Sequence, residues 1–289
     1  MLHRLLPPGN RAPVRKIAQL DALDQPASKI GKLMRDLFKP RPVKEVLSGS
    51  WLGHPLHPVL TDVTIGTFTS AVLLDWLGGR DSGPAARRLI GIGLLSAAPV
   101  VSSGWSDWAD TEVADPAVRR IGVVHAATNG VASTLFAASW FKRGNGSRGR
   151  LLALAGSATL TAGAYLGGHL SFGEGVGVDQ TAFEEEPEDW TDVLAESELA
   201  AEGKRCVFAG GTPVLLVRTG GELYALSDRC SHRGGPLHEG EIEDGTVVCP
   251  LHQSVFDLRD GALVHGPAAY PQPAWAVRER AGRIQVCRR

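Results

Sequence analysis

Apolar positions along the chain follow two unlike patterns. Between residues 59 and 173 they come in long runs, and Leu89 to Ser106, Ile121 to Phe141 and Leu151 to Gly173 contain no charged residue. Each run approaches the roughly 20 residues that a helix needs to cross about 30 Å of hydrocarbon. Val59 to Leu77 is read as a fourth span: Asp62 and Asp75 sit near its ends, and its centre, "VTIGTFTSAVLL", is apolar or hydroxylic. From Trp190 onward the runs are short, as in "CVFAGGTPVLLVRTGGELYALSD", "TVVCP", "SVFDLRDGALV" and "IQVCRR". The pairs Gly210-Gly211, Gly220-Gly221 and Asp260-Gly261 punctuate them as hairpin turns do. The pattern predicts a multi-domain chain, an all-α bundle of four transmembrane helices followed by an all-β domain. The expected boundaries are a basic N-terminal region over 1–50, the membrane domain over 51–173, a linker over 174–189 and the β domain over 190–289.

Charge sharpens these boundaries. The net charge of −1 conceals an asymmetry: Met1 to Pro58 carries ten Lys or Arg against four acids, whereas Ser171 to Gly203 carries eleven acids and no base. The basic end includes Arg4 and Arg11, and Arg148 adds charge to a later loop. No apolar run follows the first basic residues, so no signal peptide is expected. Ile30, Leu33, Met34, Leu37 and Phe38 share one helical face among Lys29, Lys32 and Arg35. That helix is expected either to lie on the membrane surface or to pack on the protein. Trp51, Trp76, Trp105, Trp108 and Trp140 fall near predicted helix ends, where interfacial aromatics concentrate. Gly163 and Gly167, four apart, allow a neighbouring helix to approach closely.

Two Cys-His pairs carry the chemistry of the β domain. "CSHRGGPLHEG" opens on Cys230 with His232 two residues on, and "CPLHQSVFD" opens on Cys249 with His252 three on. Thiolate sulfur suits iron, and two imidazoles in place of two thiolates leave a two-iron cluster less negative. A zinc site is the alternative for two cysteines and two histidines, but its pairs are usually Cys-Cys and His-His. The spacing Cys-x-His, sixteen residues, then Cys-x-x-His resembles the Rieske iron-sulfur family, and so does the surrounding sequence from about Trp190 to the end.

The resemblance implies a [2Fe-2S] cluster with Cys230 and Cys249 on the inner iron and His232 and His252 on the outer. It also implies that Gly234, Gly235, Gly240, Pro250 and the "GPAAYP" loop cover the cluster. Rieske proteins of respiratory bc complexes carry a disulfide where Gly235 and Leu251 stand here, and a tyrosine where Phe256 stands. With those donors absent, and Ser254 the one remaining hydroxyl, the expected potential is low, as in soluble Rieske ferredoxins. Gln253 occupies a position where glycine is usual. His238 and His265 match no ligand position. No catalytic residue is expected, because a complete Rieske oxygenase needs a second iron domain that does not follow here.

A second histidine pattern belongs to the membrane half. His54 and His57 in "GHPLHP" precede the first span, His125 starts the third and His169 ends the fourth, so alternating helices would bring all four to one membrane face. This half resembles a bacterial family of four-helix membrane domains with a "HPLHP" signature. An ionisable residue at membrane depth invites a functional reading. A haem b or a quinone, another metal, and structural hydrogen bonding all remain open for His54, His57, His125 and His169.

The two resemblances together imply an integral protein of a bacterial plasma membrane. Its expected role is to pass single electrons to or from a redox partner protein, a quinone or a cofactor at the histidine-lined face. A redox sensor, a structural subunit, or a ferredoxin or reductase component of a multi-subunit oxygenase is the alternative. The bilayer is an expected partner and nucleic acid is not. The basic N-terminus favours a cytoplasmic β domain, although basic loops around Arg87, Arg88, Lys142 and Arg143 pull the other way.

Overall fold

The computed structural model describes residues 12–143, 149–185 and 187–289. Arg4, Arg11 and Arg148, named above for their charge, lie outside the described residues. The chain forms two compact units, one from Met1–Pro40 with Leu56–Val176, the other from Arg41–Pro55 with Gly177–Arg289. The second unit thus takes in residues 41–55, which the sequence divides between the basic N-terminal region and the start of the membrane domain.

The first unit is helical: α1 (Ala12–Ala18), α2 (Asp24–Leu37), α4 (Leu56–Leu77), α5 (Gly83–Thr111), α6 (Pro116–Lys142) and α7 (Gly149–Phe172), with α3 (Arg41–Ser48) belonging to the other unit. Local chemistry sets the helix starts. Asp115 caps α6 by accepting from the Ala117 amide at 2.7 Å, with Pro116 in the first turn, where its missing N–H leaves no bond unmade. Short connections make α4–α5 and α6–α7 antiparallel hairpins, and α4 packs on α7 as α5 packs on α6. Phe68 and Phe136 stack at the heart of one core cluster, beside Ile90 and Ala153. A second cluster joins Trp108, Ile121, Leu166 and Leu170.

All four long helices fall where the apolar runs predict them, and three of them, α5, α6 and α7, are long and apolar enough to cross a membrane. The fourth, α4, which carries Asp62 and Asp75, is not among these three. Asp75 is itself buried and held by Arg143, whose Nη1 lies 2.6 Å from Oδ1. Large apolar side chains such as Leu73, Leu95, Val131 and Leu154 face outward from the bundle. Trp51 and Trp76 are exposed, but Trp108 is core, donating to the Val118 carbonyl at 3.2 Å. The helix α5 runs on past its apolar span to Thr111, which carries Trp108 inward rather than leaving it at an end. The amphipathic helix α2 packs on α5 and α6 through Ala27, Gly31 and Ile30, while Leu33 and Leu37 stay exposed.

Among the described residues, the second unit holds ten strands in three antiparallel sheets. The first joins β1 (Thr191–Ala195), β10 (Arg283–Arg288) and β9 (Trp275–Arg280), and the second joins β2 (Gly203–Ala209), β3 (Thr212–Thr219) and β4 (Glu222–Ser227). These two share one core of Leu194, Val214, Leu216, Trp275 and Ile284. The third sheet orders β5 (Glu241–Glu243), β6 (Thr246–Val248), β7 (Val255–Asp257) and β8 (Leu263–His265) and has its own core around Leu215, Leu226, Leu237, Phe256 and Leu258. Gly210-Gly211 and Gly220-Gly221 both turn with φ above zero at the two central positions, which side chains disfavour. The alternation of β3 is lost because both its faces are buried, Val214 through Val217 in a row.

Candidate metal centre

Two loops of one design present the Cys-His pairs. In the first, after β4, the Cys230 amide donates to the Gly235 carbonyl at 2.9 Å and the Gly234 amide donates back to the Cys230 carbonyl at 2.8 Å. In the second, after β6, Cys249 donates to Ser254 at 2.8 Å and Gln253 donates back to Cys249 at 3.0 Å. Each loop needs a left-handed residue four places after its cysteine: Gly234 has φ of 69° and Gln253 has φ of 66°. A glycine is usual at the second position for this reason, and Gln253 adopts the same conformation without it.

The two cysteines come together and the two histidines lie together. Both thiols are buried, at 1 % and 2 % exposure, in the core that also holds Phe256. The backbone amides of His232 and Arg233 donate to the Cys230 sulfur, and those of Leu251 and His252 to the Cys249 sulfur. A hydrogen bond from Cys230 holds the Cys249 thiol down to about 7, and the same contact with burial raises Cys230, so the pair readily carries negative charge at Cys249. The rings of His232 and His252 stand edge-on with centroids 5.0 Å apart, both partly exposed. Burial pushes the His232 imidazole well below its ordinary range, with positive charge on Lys44 and Arg233 adding to the effect. It is therefore held neutral, as a metal ligand must be.

These features fit a two-iron cluster: paired inner thiols that receive amide hydrogen bonds, and paired outer imidazoles. All four cysteines are free, so no disulfide braces the loops. A Cβ on Gly235 would sit 3.0 Å from the Leu251 side chain, which puts the two positions face to face. The Ser254 hydroxyl oxygen accepts from the Ala268 amide at 2.9 Å, tying the second loop to the "GPAAYP" segment, and Phe256 is fully buried without a polar group.

A segment far away in sequence completes the surroundings of the cluster loops. Glu45 of α3 bonds His265 Nδ1 at 2.7 Å, Ser48 and Ser50 lie against Gly266, and His54 meets the Tyr270 ring edge-on at 6.4 Å. Sequence reasoning missed these contacts because nothing local to residues 41–55 signals a partner more than 200 positions away. His238 and His265, which match no ligand position, are both engaged by carboxylates, His238 Nδ1 lying 2.7 Å from Asp228.

The four histidines of the membrane half fall in different surroundings. His54 belongs to the β unit, and His169 Nε2 is engaged by Glu174 at 3.1 Å. His57 and His125 both lie in the helical unit, on α4 and α6, each with Nδ1 against a backbone carbonyl of the following helix, Val100 at 3.0 Å and Gly163 at 2.8 Å. Among the described residues, no three of the four bring ring nitrogens within 4.8 Å of one another.

Residues 189–276 match the Rieske [2Fe-2S] domain family, and residues 53–180 match a family described as predicted membrane protein, DUF2231. The anthranilate 1,2-dioxygenase ferredoxin subunit of Burkholderia cepacia is 38 % identical over 98 residues, 34 % of this chain and 91 % of that one. The 3-phenylpropionate/cinnamic acid dioxygenase ferredoxin subunit of Escherichia coli strain K12 is 43 % identical over 77 residues, 26 % of this chain and 73 % of that one. A solved structure, the ferredoxin of carbazole 1,9a-dioxygenase from Nocardioides aromaticivorans IC177, is 29 % identical with a TM-score of 0.33, covering 35 % of this chain and 98 % of that one. Paired loops, buried thiols, partly exposed imidazoles, the two family matches and the two ferredoxin-subunit relatives have one common explanation, which is that the chain belongs to the Rieske [2Fe-2S] family through its β domain, carried behind a predicted membrane domain.

Proposed function

We propose that this protein is a membrane-anchored Rieske electron carrier that exchanges single electrons with a partner protein of an oxygenase system. The carrying observation is the division of the site: the thiols are buried and the imidazoles partly exposed, which leaves the histidine edge as the side where a partner docks. Relatives named as ferredoxin subunits of dioxygenases support that class of partner, a terminal oxygenase or the reductase that feeds it. When bound, the cluster takes up and releases one electron at a time. The chain's own part is to fix the sulfurs with four amide donors and to hold His232 neutral.

We read the potential as low. Phe256 offers no hydroxyl, and no disulfide stiffens the loops, so the reduced state lacks hydrogen bonds that would stabilise it. The outward-facing apolar helices support anchoring in a lipid bilayer, and the basic N-terminal residues support a cytoplasmic β domain.

Detergent-purified full-length protein tests the reading. It should show a Rieske EPR signal on reduction, and should pass electrons repeatedly from a ferredoxin reductase to an acceptor. Reduction by one electron without turnover would instead identify a sensor. His232→Ala or His252→Ala should abolish the signal, since an open iron position does not hold the cluster. A surviving signal in either variant would show that the ligand set is wrong.

A further inference from the structure

Apart from the cluster ligands, the β unit gathers a third cysteine, a carboxylate and an imidazole. Cys206 lies on β2, Asp228 directly follows β4, and His238 sits in the one-turn helix Leu237–Glu239 before β5. One donor atom from each, a sulfur, an oxygen and a nitrogen, falls within 4.8 Å of the other two, and no other three such side chains do so among the described residues. The backbone fixes all three. Cys206 is held opposite Leu215 in the ladder between β2 and β3. The Asp228 amide donates to the Pro213 carbonyl at 2.8 Å, and the Leu237 amide donates to the Asp228 carbonyl at 2.8 Å, which pins the one-turn helix to the end of β4. The His238 amide donates to Asp228 Oδ1 at 2.7 Å, so the carboxylate lies beside the imidazole.

The side chains meet as the ligands of one ion do before it binds. Asp228 is buried, while Cys206 and His238 are half-buried, so the trio can be reached from solvent. A carboxylate only accepts, so the proton between His238 Nδ1 and Asp228 Oδ2, 2.7 Å apart, sits on the imidazole. The Cys206 thiol bonds the same carboxylate, and burial together with that negative charge pushes the thiol up to about 11. A cation among the three displaces the thiol proton to water and moves the imidazole proton from Nδ1 to Nε2. It then takes the two freed lone pairs and a carboxylate oxygen. The bond between His238 and Asp228 joins two ligands of the same ion, so it opens as the ion enters and does not compete with it. Buried charges in proteins are paired or coordinate metals, and Asp228 is placed for both.

We propose that Cys206, Asp228 and His238 bind one zinc ion, with water in the fourth position. A thiolate argues against calcium and magnesium, which take oxygen donors, and sulfur, nitrogen and oxygen together suit a borderline ion. Three protein ligands and one open place are what zinc keeps where it handles water or a substrate. The ion clamps β2 to the end of β4 and to the turn before β5. It uses none of the four cluster ligands, although Asp228 stands two residues before Cys230. The zinc site can therefore fail while the electron-carrier reading stands, and the reverse.

The test uses the full chain, purified in detergent with its cluster, incubated with zinc chloride, desalted, and assayed for zinc, iron and the Rieske EPR signal. Cys206→Ser and His238→Asn are the informative variants, because the hydroxyl and the amide still donate to Asp228 while the sulfur and the imidazole nitrogen are gone. We expect one zinc per chain in the unmodified protein and zinc at background in either variant. Iron content and the EPR signal should be the same in all three, which separates loss of a ligand from loss of the fold. The zinc X-ray absorption spectrum of the unmodified protein should report one sulfur at about 2.3 Å among nitrogen and oxygen at about 2.0–2.2 Å. That spectrum decides the matter even where a variant fails to fold. Unmodified protein that retains no zinc, zinc retained by the Cys206→Ser/His238→Asn double variant, or zinc bound by two sulfurs, as the cluster cysteines would bind it, would each overturn the proposal.

Discussion

Gln253 shows how one residue can carry a constraint that its identity obscures. Its φ of 66° is forced by the loop, since the equivalent residue of the other loop is Gly234 at 69°. A left-handed conformation costs an ordinary residue about 1–2 kcal/mol. Gln253→Gly should therefore stabilise the β domain by roughly 1 kcal/mol, net of the entropy that glycine loses, read as a higher thermal midpoint; a lower one would mean that the Gln253 side chain holds the loop. Phe256 makes the converse case. It is fully buried beside the cluster cysteines, and Phe256→Tyr should raise the reduction potential by adding a donor near sulfur. An unchanged or lower value in a redox titration would remove the reason for reading the cluster as low-potential. Both residues were singled out in the sequence as departures from the family that the cluster motif resembles. What the resemblance lacked was the left-handed turn itself, which depends on backbone bonds closing across six residues.

At the scale of elements, periodicity and punctuation did most of the work. Four apolar runs became four long helices, and the two Gly-Gly pairs became hairpin turns, because each signal is local to the element it specifies. Hairpins α4–α5 and α6–α7 are approximate copies: Phe68 and Phe136 stack with centroids 3.9 Å apart, each against a glycine of the following helix, Gly93 or Gly156. That repeat was not legible, since few matched positions keep the same residue as His57/His125, Phe68/Phe136, Gly93/Gly156 and Gly104/Gly167 do. Partners such as Asp75 and Arg143 differ in kind and reveal themselves only by meeting. That pair sits almost wholly out of solvent, with side chains 0 % and 6 % exposed. Breaking such a pair strands a charge at a cost of about 3–5 kcal/mol. Asp75→Ala should lower the unfolding midpoint of the helical unit accordingly, whereas Asp75→Ala with Arg143→Met should recover most of the loss. Equal destabilisation in both variants would argue that the two charges act independently.

For the whole molecule, the least legible feature is the membership of Arg41–Pro55 in the β unit. Its helix α3 brings Lys44 near enough to His232 for its positive charge to act there. That charge favours the reduced, more negative cluster, so Lys44→Ala should lower the reduction potential, and no shift on voltammetry would show the charge to be screened. The chain also passes between its two units at Pro40, Pro55 and Val176, so the β unit is not held by the acidic linker alone. This connectivity has a consequence for biogenesis. Glu45 precedes its partner His265 by 220 positions, which at roughly 5–20 residues per second amounts to about 10 to 40 s of translation. Through that interval α3 is synthesised before its partner in the β unit, while the four long helices are made. Val43 and Val46, still exposed in the finished protein, are then available to lipid or to a chaperone, and capture by either would delay closure around the cluster loops.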